Sequence, residues 1–268
     1  MSSTIAERFK PAGHKAQELS DAVLPDEVFK PIQRVIDTTL EGKDKTIGYL
    51  YHDVEYMPGV VGSVVLSKGL LRNADGEIKK NVGGWQEYNW SETANPFGWF
   101  VPSAPVVLEL CYQTQQDNTK VSREAQQSWH ETLNPKTWWI QTSTLLKYNK
   151  GHARVYHNWT IHSGTTPALE ENGIDISDDN PPVVNAFIHT TLGRRYSSTK
   201  KTFEKYGRTV ALWTPVDSRT STRALVLGSL NDWFLIGADN NIDTRGPACG
   251  VAVAKKLLEG KRYEVRDA

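Results

Sequence analysis

Residues 223–239 constrain the fold more than any other stretch. RALVLGSL (223–230) and DWFLIGAD (232–239) are each apolar at consecutive positions and are joined near Leu230, Asn231 and Asp232. Strand side chains alternate between faces, so a run without alternation carries apolar groups on both. A hairpin of this kind needs cover on two sides. The terminal segment GPACGVAVAKKLLEG (246–260) is the expected cover on one of them. Pro247 suits a first helical position, the Ala-rich run favours helix, and Gly260 can end it.

Other stretches repeat the β pattern. IGYLYHDVEY, a Pro58-Gly59 turn and VVGSVVLSKGLL predict a hairpin over 46–71. WWIQTSTLLKYNKGHARVYHNWTIH (138–162) predicts a second hairpin, with Asn149, Lys150 and Gly151 supplying the turn. TVALWTPV, PVVNAFIHTTL (182–192) and APVVLELCYQTQ also read as strands, whereas 117–137 suits a short surface helix and turn. Residues 81–103 mix Trp, Tyr and Phe with Gly, Pro and Asn, which predicts a loop with aromatic anchors. Residues 1–45 place Leu19, Val23, Val28, Ile32, Val35, Ile36 and Leu40 at helical spacing. The expected fold class is α+β in one domain: a helical N-terminal segment (1–45), a β-rich body (46–245) and a C-terminal covering helix (246–260). The body is a predominantly antiparallel β-sheet bent into a sandwich or open barrel.

Charge and motifs exclude several function classes. Lys plus Arg and Asp plus Glu each total 31, so no basic field draws the chain to nucleic acid or to anionic lipid. Two cysteines, Cys111 and Cys249, are too few for a disulfide framework. MSSTIAERFKPAGHK lacks the apolar core of a signal peptide, and no later run approaches a membrane span. The expectation is a soluble, cytoplasmic protein without membrane or nucleic-acid partners. Neither GxGxxG after a strand nor GxxxxGK[ST] occurs, so no nucleotide cofactor is expected.

On the strand 153–162, His157 shares a face with Val155, Trp159 and Ile161, which turns its imidazole inward. His189 sits beside Val183 and Phe187 in the same way, Glu109 falls opposite the more apolar face of its strand, and Tyr148 belongs to the same hairpin as His157. One imidazole, one carboxylate and a polar orienter suffice for acid–base chemistry in an enclosed pocket. The leading expectation is a cofactor-free lyase, isomerase or hydrolase for a small organic substrate, with His157, His189, Tyr148 and Glu109 as its catalytic groups. The alternative is a non-catalytic carbohydrate- or small-ligand-binding protein in which Trp85, Tyr88, Trp90 and Trp99 stack on the ligand. A structural interaction protein is the third reading. His157, His189 and either Glu109 or His52 have ligand chemistry for zinc or iron but no diagnostic spacing, so no metal is expected. Cys249, in the first turn of the expected C-terminal helix, would there have a lowered thiol pKa.

Overall fold

A computed structural model describes residues 17–18, 27–80, 97–133, 139–149, 152–157, 174–175, 188–213, 220–230, 232–242, 245–260 and 262–266. The strands are β1 Gln17–Glu18, β2 Gln33–Asp37, β3 Thr46–Met57, β4 Val60–Leu70, β5 Ile140–Asn149, β6 His152–Tyr156, β7 Ile174–Asp175, β8 Thr209–Trp213, β9 Ser221–Leu230, β10 Trp233–Asn241, β11 Cys249–Val253 and β12 Tyr263–Arg266. The helices are α1 Ala104–Gln116, α2 Lys120–Thr132, α3 Thr199–Phe203 and α4 Ala254–Leu258. Residues 188–192 are helical and continue through a 3-10 turn, Gly193–Ser198, into α3.

The fold is α+β. Seven strands form one sheet in the order β1-β8-β10-β9-β5-β6-β7, and five form another in the order β11-β4-β3-β2-β12. One sheet is curled into a half-barrel. Pairing is antiparallel apart from the parallel β8–β10 ladder. The three expected hairpins form: β3–β4, β5–β6 and β9–β10.

Helix α1 covers one face of the doubly apolar β9–β10 pair, lying against β9, and Phe203 of α3 stacks on Phe234 of β10. Helix α1 packs on β3 of the small sheet and on β5 and β9 of the large one, with Val107, Leu108, Leu110 and Cys111 fully buried. One continuous apolar core therefore spans both sheets and α1. Among the described residues, no helix is long and apolar enough to cross a membrane.

Four expected elements differ. Residues 104–116 form a helix and not a strand: nine of the thirteen residues are buried, Glu109 and Gln113 among them, so the apolar run VVLELC carries no clear helical period. Residues 188–192 are helical where a strand was expected; Ile188, Thr191 and Leu192 are buried, the i, i+3, i+4 spacing of one helical face. The N-terminal segment contributes strands β1 and β2, since Val35 and Ile36 are held in ladders with β3 and β12 on both sides. Residues 249–253 pair with β4 in place of starting a helix. The β-branched Val251 also exchanges two backbone hydrogen bonds with Phe100, at 2.7 and 2.8 Å, and this ladder outweighs the helix preference of the alanines. Only α4 remains of the expected C-terminal helix.

Gly48 lies mid-strand, between β2 and β4. A Cβ there would sit 2.2 Å from the carbonyl oxygen of Leu66, a backbone atom that cannot swing aside. Gly48→Ala is expected to destabilise the protein by about 1–3 kcal/mol, the range for overpacking, as read by urea denaturation.

Candidate functional site

An open groove of about 1290 Å³ lies between the β3–β4 hairpin and α2. Its apolar lining includes Leu70, Leu71 and two aromatic rings, Phe97 and Trp99, whose centroids are 5.6 Å apart at 32°. Trp99 is held by close packing: a Cβ on Gly250 of β11 would meet Trp99 Cβ and Cγ at 3.0 Å. Glu124, Ser128 and Glu131 of α2 contribute polar groups to the groove. The helix starts cleanly because the Thr119 hydroxyl accepts from the Ser122 backbone N–H at 3.1 Å.

Gly69 shapes the groove beside Ser128. Its φ of +73° is a left-handed conformation that favours glycine, and the Ser67 hydroxyl holds the turn by donating to the Gly69 carbonyl at 2.8 Å while accepting from Gly250 N–H at 2.8 Å. No side chain at 69 intrudes on the Ser128 hydroxyl.

Tyr49 of β3 is 2% exposed and lines this groove, yet among the described residues nothing hydrogen-bonds its hydroxyl. Burial, reinforced by the Glu124 and Asp44 carboxylates and opposed by Arg34, pushes that hydroxyl up to about 12, so it is a neutral donor at ordinary pH. Two pairs neutralise part of the rim: Arg34 Nε lies 3.5 Å from Glu124, and Lys68 pairs with Asp44.

The four residues expected to carry acid–base chemistry occupy separate hydrogen-bond systems. His157, just past β6, has Nε2 at 2.6 Å from the Thr190 carbonyl, so Nε2 carries the proton. Its Nδ1 lies 3.1 Å from Thr144 Oγ1 and accepts that hydroxyl's proton, while the same oxygen accepts from the Ala104 N–H at 2.9 Å. This chain of bonds anchors the start of α1, which has no side-chain cap of its own. Burial lowers the His157 pKa against the opposing effects of Thr190 and Glu55, which keeps the ring neutral and both nitrogens occupied. His189 is exposed and stands edge-on to Tyr196 at 4.8 Å, on a helical segment and not on a strand. Tyr148 donates to the Ala238 carbonyl at 3.0 Å, and burial next to Asp239 raises its pKa well above the usual phenol value.

Glu109 lies on α1, not on a strand, and is 3% exposed. Arg195 Nε reaches its Oε2 at 2.7 Å, Arg194 Nε reaches the same oxygen at 3.0 Å, and Gln113 donates to Oε1 at 2.8 Å. Burial acts to raise its pKa, but the bonds from Arg195, Arg194 and Gln113 outweigh it and hold the carboxyl below its usual value.

Of the expected stacking residues, Trp99 lines the groove, and Trp85, Tyr88 and Trp90 lie outside the described residues. Cys249 sits on a strand and is fully buried, and burial pushes its thiol up to about 12, the reverse of an activated thiolate. His52 lies on β3, its ring nitrogens 2.9 Å from Ser63 Oγ and 3.4 Å from Gln33 Oε1. Among the described residues no group of three His, Cys, Asp or Glu side chains is placed to hold a metal ion. Sequence patterns single out none of Tyr49, Ser128 or Glu131. The only available signal was Tyr49's place on an amphipathic hairpin strand, which assigns a face and not a groove.

Glu109 predicts an acid sensitivity. Its folded pKa is depressed, so its stabilising contribution is present above the unfolded carboxyl value of ~4.3 and is lost as pH falls below it. Glu109→Gln is expected to cost about 1–3 kcal/mol near neutral pH, since it leaves the buried Arg195 with only the half-exposed Glu27 as counter-charge, and to flatten the acid limb of a melting-temperature profile against pH. The chain matches no protein-family model, no curated protein and no solved structure.

Proposed function

We propose that this chain is a small-ligand-binding protein, that the groove between β3–β4 and α2 is its site, and that its ligand is a hydroxyl-bearing molecule of the carbohydrate class. One observation carries this reading: Tyr49 is almost wholly buried yet lines the groove, and its hydroxyl, which is not itself sealed in the core, has no hydrogen-bond partner among the described residues. A polar group withheld from the core and from its neighbours is one that a ligand can satisfy. The surrounding chemistry agrees. Phe97 and Trp99 offer flat apolar surface for the C–H face of a sugar ring, and Glu131, Gln127 and Ser128 offer acceptors and donors for ring hydroxyls. The volume accommodates a short oligosaccharide.

Acid–base catalysis centred on His157 ranks below this reading. A general base needs a free lone pair, and the lone pair of His157 is already taken by Thr144.

The test is titration calorimetry of the full chain against neutral and acidic mono- and disaccharides. At least one is expected to bind. Tyr49→Phe, which removes a single unpaired oxygen, is expected to weaken that binding roughly 5- to 10-fold, the equivalent of one hydrogen bond, and to change folding stability by less than about 0.5 kcal/mol. Silence across the panel, or full affinity in a folded Tyr49→Phe protein, overturns the reading.

A further inference from the structure

Among the described residues, the rim of the groove carries more cations than carboxylates. Over the whole chain cations and carboxylates balance at 31 each. Among the described residues, the groove is lined by five cationic side chains, Arg34, Lys43, Lys68, Arg72 and Lys79, against three carboxylates, Asp44, Glu124 and Glu131, and Lys79 has an interaction of its own. Arg34 and Lys68 are spent on Glu124 and Asp44, and Glu131 accepts from Gln127 Nε2 at 3.1 Å. Lys43 and Arg72 have no carboxylate partner among the described residues.

Arg72 is also oriented. It begins the tight turn that Asn73 and Gly76 close, and its Nη1 donates to the Gly76 carbonyl at 2.7 Å. Gly76 has φ +84°, which permits that turn. With Nη1 committed, the Nε and Nη2 edge remains: two coplanar donors spaced for the two oxygens of one carboxylate. Arg72 follows directly on Leu71 of the apolar lining, so an acid group bound at this edge belongs to a molecule whose body lies against Leu71 and Trp99. Fixing one end of the guanidinium in advance lowers the ordering cost of that contact.

We infer that the ligand of this groove is an acidic sugar, a uronic acid or an oligosaccharide containing one, with its carboxylate on the Nε–Nη2 edge of Arg72 and Lys43 adding attraction at the rim. This rests on the groove being a carbohydrate site. The three carboxylates of the groove do not prevent it, because two are neutralised by their own cations and the third is turned to an amide donor. A phosphate ester would be drawn by the same charge, but one planar two-donor edge matches the two coplanar oxygens of a carboxylate better than a tetrahedral dianion.

The experiment measures the full chain by calorimetry against matched probes: D-glucose, D-glucuronate and glucose 6-phosphate. Glucuronate is expected to bind about tenfold or more tightly than glucose, and its affinity, unlike that of glucose, is expected to fall as potassium chloride is raised. Arg72→Gln is expected to abolish the preference while leaving the weaker glucose affinity in place. Lys43→Gln, which disturbs no turn, is expected to reduce the preference in part, and a melting curve for each variant checks that the fold is kept. Equal binding of glucose and glucuronate, both sensitive to Tyr49→Phe, overturns the acidic-sugar inference and leaves the groove reading standing. Tighter binding of glucose 6-phosphate than glucuronate overturns the carboxylate assignment. If no probe binds, the acidic-sugar inference fails, and silence across the wider panel of mono- and disaccharides fails the groove reading itself.

Discussion

A carboxylate in the middle of the protein has to be neutralised, and much of the architecture follows from how that is done. Helix α1 is enclosed by both sheets, and Glu109 is carried into the interior with it. Removing an ion of this kind from water costs several kcal/mol, recovered only if charged donors complete its shell. Arg194 and Arg195 come from the 3-10 turn, Gln113 comes from the next turn of α1, and each reaches onward. Arg194 donates to the Asp53 carbonyl at 2.8 Å and Gln113 to the His52 carbonyl at 3.1 Å, both on β3. Arg195 forms a second, two-pronged contact with Glu27 and lies over the rings of Tyr112 and Phe29. One buried charge thereby locks α1, the turn at 193–198, the bulge of β3 and the segment 27–29 into a single arrangement. Asp53, at φ 55°, takes up the local irregularity of the strand at the point where the arginine is received.

The groove depends on that lock at one remove. The packing of α1 on β3 sets where α2 lies, because the two helices contact each other and α2 rests on β4. Once α2 is held there, its Glu124, Ser128 and Glu131 stand across from Tyr49, and the turn at Gly69 keeps the intervening space clear. From the other side, the pairing of β11 with β4 brings Gly250 under Trp99 and sets the aromatic wall. The groove is thus assembled from a hairpin, a helix and an irregular segment that are remote in the chain. His157 serves the same scaffold: through Thr144 and Thr190 it joins the start of α1, strand β5 and the helical stretch at 188–192.

The amino-acid sequence by itself determined the parts of this protein that depend on local chemistry. The three hairpins β3–β4, β5–β6 and β9–β10 were legible because Pro58-Gly59, Asn149-Lys150-Gly151 and Leu230-Asn231-Asp232 interrupt β-branched and aromatic runs, and α2 because 117–137 is polar and ends at Asn134-Pro135. The need for cover over β9–β10 was legible too, but not the identity of the cover. On one face that role fell to α1, where Glu109 and Gln113 are buried with the apolar residues, so the run VVLELC within 104–116 looks the same as a strand. Residues 249–253 failed for a related reason: alanine and valine suit either state, and only a partner remote in the chain, β4, selects the strand. For the site, Trp99 was legible as an aromatic anchor, whereas Tyr49, Ser128 and Arg72 were not. Periodicity assigns a side chain to a face, but a groove is the space between two faces, and their distance is set only when tertiary packing brings them together.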